Sequence, residues 1–99
     1  MTLMISGSAA WAHKVNIFAY VDADTVYTES YFPDGRPVIH GTIEVKTEKG
    51  TIVLKGQTDD QGLFSFPAIK KQFLTITIKA SMGHTSSFIL EQSDIQQSR

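Results

Sequence analysis

Three histidines, His13, His40 and His84, are the side chains of this sequence best suited to chemistry, because cysteine is absent and thiolate sites and thiol nucleophiles are absent with it. Imidazole ligates borderline transition metals and titrates near neutrality. His13 follows Ala10-Trp11-Ala12, an A-x-A pattern of the kind a signal peptidase accepts. Cleavage after Ala12 would give His13 a free α-amine beside its own ring, so that one residue chelates through two nitrogens. A third nitrogen from His84 or His40 would complete an equatorial set suited to Cu(II) or Ni(II), leaving a carboxylate or water as a further ligand. An imidazole near pKa 6.5 and an α-amine near about 8 must both lose protons to bind, so affinity should fall steeply in acid.

Donors so far apart in sequence need a fold to gather them, and the hydrophobic period says which kind. Val15, Ile17, Ala19 and Val21 alternate with Asn16, Phe18 and Tyr20, and Ile43/Val45, Ile52/Leu54 and Leu74/Ile76/Ile78/Ala80 repeat the spacing of two. Turn signals separate these runs: VDADT, FPDGRP, TEKGT, TDDQG, FPAIKKQ and SMGHT. Strands are expected at about 14–21, 24–32, 38–47, 51–58, 62–66, 73–80 and 84–90. The chain is therefore all-β, and seven strands with one wet and one dry face each fit a seven-stranded antiparallel two-sheet sandwich. Its core is expected to hold Val15, Ile17, Ala19, Val26, Ile43, Val45, Ile52, Leu54, Phe64, Phe66, Leu74, Ile76, Ile78, Phe88 and Leu90. Phe18, Tyr20, Tyr27 and Tyr31 fall on the opposite phase, where aromatics either pair across strands or form a partner surface. If each strand reverses the one before, the odd-numbered strands run the same way, and His13, His40 and His84, which precede or open the first, third and seventh, belong to one end. Asp34, Asp59, Asp60 and Met82 lie in loops of that end, where Asp34, Asp59 and the soft thioether of Met82 would be supporting ligands.

Composition narrows the classes further. With 99 residues the chain supports one small domain, and a net charge of -1 leaves no basic stripe for nucleic acid. No run is long enough to span a bilayer. Residues 1–12 read as a signal-like leader, although no Lys or Arg precedes the apolar part and the stretch is shorter than the usual signal of about 15–30 residues. A disordered leader or an extra edge strand is the alternative. Residues 13–91 form the sandwich and residues 92–99 a polar tail. No nucleophile elbow, phosphate-cradling loop or H-E-x-x-H occurs, and nothing in the spacing of Ser81, His84 and Asp59 sets a base beside a nucleophile, so the chain is not read as an enzyme.

The segment GRPVIHGTIEVKTEKGTIVLKGQTDDQGLFSF resembles the carboxypeptidase-regulatory or transthyretin-like sandwich, a Greek-key fold in which a T-D-x-x-G-x-F-x-F turn recurs. There Asp59 would bond the turn backbone, Gly62 would take the left-handed position, and Phe64 and Phe66 would point inward. Over nearly the whole chain, AHKVNIFAYVDADTVYTESYFPDGRPV with TDDQGLFSF and MGHTSSF is similar to the small extracytoplasmic accessory subunits of energy-coupling-factor type nickel and cobalt transporters. In that family a signal peptide precedes an A-H mature start, and a G-H pair, here Gly83-His84, lies near the last strand. The carboxy-terminal membrane helix frequent in the family has no counterpart here and the export signal is short, so the chain reads as a fragment or as a free periplasmic relative. The resemblance implies an extracytoplasmic domain that captures or delivers Ni(II) or Co(II), with membrane components of a metal transporter as partners and Cu(II) as an in-vitro ligand. The alternative is a non-catalytic spacer or protein-interaction sandwich in which the histidines are incidental.

Overall fold

A computed structural model describes residues 15–68 and 73–91. Seven antiparallel strands run in chain order: β1 Asn16–Asp22, β2 Thr25–Tyr31, β3 Thr42–Lys46, β4 Ile52–Gln57, β5 Leu63–Pro67, β6 Leu74–Lys79 and β7 Thr85–Leu90. They form two sheets, a three-stranded one in the order β1-β2-β5 and a four-stranded one in the order β4-β3-β6-β7. The result is a β-sandwich. No helix among the described residues is long and apolar enough to cross a membrane.

Alternation of apolar and polar residues places the two inner faces. Ile17, Ala19 and Val26 from one sheet meet Ile43, Val45, Leu74, Ile76, Ile78 and Leu90 from the other, with Val15 and Phe66 also buried. Non-directional burial of these side chains is what holds two sheets together in a domain without a disulfide. Phe64, Leu54 and Phe88 pack against this core from its margin and are only partly buried. Ile52, expected in the core, is 44% exposed, as is its neighbour Val53. The cause is a β-bulge: Leu54 opposes Val45 but Ile52 opposes Lys46, so Val53 has no partner and the alternation breaks on an edge strand. Val38, outside the expected set, is buried.

The third strand is shorter than expected, because residues 38–41 turn rather than pair. Val38 donates its N–H to Ser30 O, and His40 adopts φ 57°, outside the strand region. Thr58 holds this segment in place: its hydroxyl donates to Val38 O at 2.5 Å and accepts from the Gly41 N–H at 2.9 Å. The backbone adds Thr58 N–H to Gly41 O and His40 N–H to Thr58 O. Where β4 turns to β5, Asp59 Oδ1 accepts from the N–H groups of Gln61 and Leu63 at 2.8 and 3.0 Å, and Gly62 sits at φ 79°. A side chain there would be strained by φ and would run into Ser30 O, so glycine is required twice over.

Candidate metal centre

β1 starts at Asn16 opposite Tyr31, the last residue of β2, and Tyr31 also bridges Pro37 on the way to β3. Thr42 at the start of β3 lies opposite Lys79 at the end of β6 and Gln57 at the end of β4, and Lys79 in turn lies opposite Thr85 at the start of β7. A ring contact between Phe32 and His84, centroids 6.4 Å apart and nearly perpendicular, joins the end of the three-stranded sheet to the start of β7. The starts of β1, β3 and β7 therefore share one rim. His40 and His84 stand on it together with Asp34, Asp59, Asp60 and Met82. His13 lies outside the described residues.

Each donor has a different environment. The His40 ring is exposed and presents Nε2 to Asp60 Oδ1 at 3.4 Å. With Nε2 turned to a carboxylate, Nδ1 is the nitrogen left for a ligand, an arrangement by which carboxylates orient ligating imidazoles. His84 is half-buried; its carbonyl accepts from Ala80 N–H at 2.8 Å and so closes the turn between β6 and β7. In that turn Met82 takes φ 64° and Gly83 φ 77°, which leaves the Met82 side chain 87% exposed.

The carboxylates are largely committed to the protein's own groups. Both oxygens of Asp34 serve Arg36, Oδ1 accepting from its N–H at 3.0 Å and Oδ2 from Nε at 2.7 Å. These bonds hold the Asp34 carboxyl below the usual range, the backbone N–H contributing most. The N–H groups of Leu63 and then Gln61 likewise lower Asp59, with a smaller pull from His40. Arg36 also stacks on Phe32, its guanidinium 5.0 Å from the ring centroid. The rim groove beside it has a volume of about 480 Å³ and takes in His40, Arg36, Lys79 and Ser81.

Among the described residues, no three His, Asp or Glu side chains are gathered into a group that could hold an ion. What the rim brings to one end is two imidazoles from separate loops, His40 before β3 and His84 before β7, with Asp60 beside His40. Thr58 and Phe32 are the positioning residues that sequence reasoning missed. Thr58 carried a weak signal, as the residue opening T-D-D-Q-G, but its partners are about twenty residues away in sequence. Phe32 carried none.

The chain matches no known protein-family model. It is similar to an uncharacterized protein of Haemophilus influenzae, 31% identical over 83 residues that cover 81% of this chain and 52% of that protein. The chain thus spans about half the length of the curated relative it matches.

Proposed function

We propose that this domain is an extracytoplasmic metal-capture accessory of a nickel or cobalt uptake system, docking on the membrane components of the transporter. The ion is held by the α-amine and imidazole of His13 with a third nitrogen from His84 or His40, and the sandwich is of the transthyretin-like, carboxypeptidase-regulatory-like Greek-key type. One observation carries the reading: His40, in the turn before β3, and His84, immediately before β7, stand on the same rim at which β1 begins, three residues after His13. The Asp59 and Gly62 turn supports the fold subtype.

Calorimetric titration of protein beginning at His13 with Ni(II), Co(II) and Cu(II) tests it. One-to-one binding is expected near pH 8, tighter for copper than nickel, as the general affinity order requires. Retaining Met1–Ala12, or replacing with Ala whichever of His84 and His40 supplies the third nitrogen, is expected to weaken nickel binding at least tenfold. Binding should fade as the pH drops through the amine and imidazole values of about 8 and 6.5. Absence of binding at neutral pH overturns the metal reading. A second reading, a metal-free interaction module, is favoured by the exposed Phe18, Tyr20, Tyr27 and Tyr31 on one outer face.

A further inference from the structure

The outer face of the three-stranded sheet gathers five of the ten large hydrophobic side chains that are exposed among the described residues. Phe18, Tyr20, Tyr27, Tyr31 and Leu63 point outward there, each between 38% and 47% exposed. Tyr20 and Tyr27 are directly opposite in register and stack, ring centroids 5.4 Å apart at 23°, and Phe18 lies 6.0 Å from Tyr20 while its ring also meets Phe88 of β7 edge-on at 5.6 Å. The remaining outward positions are Asn16, Asp22, Thr25, Glu29, Ser65 and Pro67. Asp22 and Glu29 are the charges of this face, and no Lys or Arg among the described residues accompanies them. A groove of about 520 Å³ runs beside Tyr27, Glu29 and Leu63.

We infer that this face docks a cationic, arginine- or lysine-bearing segment of a protein partner. Aromatic faces attract cations through the ring quadrupole, and Glu29 and Asp22 add opposite charge without an internal cation to satisfy them among the described residues. The outer face of the four-stranded sheet carries Lys46, Lys55 and Lys79, and Lys55 and Lys79 face the carboxylate of the nearly buried Glu44, at 3.8 and 3.1 Å, so a second copy has only Lys46 on that face to offer. An anionic lipid surface is disfavoured by the two acidic side chains. The inference does not rest on the metal reading, since its test contains no metal.

The full chain, labelled with nitrogen-15, is titrated with a synthetic (Arg-Gly)6 peptide, with (Glu-Gly)6 and (Ser-Gly)6 as controls. The expected result is a saturable one-to-one change with Kd of about 1 mM or tighter, confined to amides of residues 16–31 and 63–67 and seen with the arginine peptide only. Glu29→Lys and Tyr27→Ala should each weaken binding at least tenfold, Tyr27→Phe should keep it, and Lys55→Ala should leave it unchanged. Glu29→Lys changes an exposed side chain, so it remains informative if Tyr27→Ala fails to fold. Shifts spread over all carboxylates, or equal affinity in the Glu29→Lys variant, overturn the inference. So does peptide-free dimerisation that Glu29→Lys abolishes, which would make a second copy the occupant, and so does co-sedimentation with phosphatidylglycerol vesicles in place of peptide binding.

Discussion

Asp59 sits where a catalogue of metal-ligating side chains would place a ligand, yet its geometry is that of a turn. Its Oδ1 is occupied by two backbone N–H groups, which favour the charged form and lower its pKa. A carboxyl whose folded pKa lies below its ordinary 3.8 contributes stability that is complete above that value and is lost as pH falls through the lower folded one. Asp59→Asn keeps an acceptor oxygen for both N–H groups but removes the charge. The variant is therefore expected to be less stable than the parent at pH 7, with the gap closing as pH falls below about 4. Urea unfolding midpoints from pH 7 down to 2.5 measure this, and a gap constant with pH would show that charge contributes nothing at the turn. The role of Asp59 was legible because an Asp followed three residues later by Gly is a local pattern with a local cause. Thr58, its neighbour, was not, because its hydroxyl serves Val38 and Gly41, which only the folded chain brings near.

Two strands of the same sheet show how far periodicity can be trusted. In β6 the phase is unambiguous: Leu74, Ile76 and Ile78 alternate with Thr75, Thr77 and Lys79, and all three apolar residues are fully buried. In β4 the run Ile52-Val53-Leu54 is apolar in both phases, so the sequence reads equally well with either residue inward. The bulge opposite Val45 and Lys46 resolves that ambiguity by leaving both Ile52 and Val53 half in water. A difference in stability follows. Ile76→Ala opens a cavity in a close-packed interior and should cost about 2–5 kcal/mol, whereas Ile52→Ala removes a side chain already exposed and should cost about 0.5 kcal/mol. Chemical denaturation of the two variants compares them directly. Equal losses would mean that the edge of β4 is packed as tightly as the centre of the sheet. Val38 was illegible for the related reason that it lies between Pro37 and a turn, with no periodic neighbours to reveal its burial.

At the scale of the molecule, the question is whether the rim acts as one site or as scattered histidines. Strand direction brings the starts of β1, β3 and β7 to one end, so chain reversal does over long sequence distances what a short motif does locally. An amino-terminal histidine, however, can chelate through its amine and ring in the unfolded chain as well as in the folded one. A ligand that binds both states equally leaves stability unchanged, and only preferential binding to the folded state raises it. Calorimetric binding to the parent protein by itself therefore does not distinguish a local chelate from a site assembled by the fold, whereas the histidine variants and thermal stability do. If His84 or His40 completes the set, Ni(II) at about a hundred times Kd should stabilise protein beginning at His13 by up to about 2.7 kcal/mol. For a domain of this size that amounts to a rise in Tm of about 10 °C or more. The rise should vanish at pH 5.5, where amine and imidazole are protonated, and should vanish also in the variant lacking whichever of His84 and His40 supplies the third nitrogen, even though that variant still binds nickel weakly. Nickel binding at pH 8 with no change in Tm would reduce the site to a chelating terminus and leave the imidazoles of the rim without a part in it.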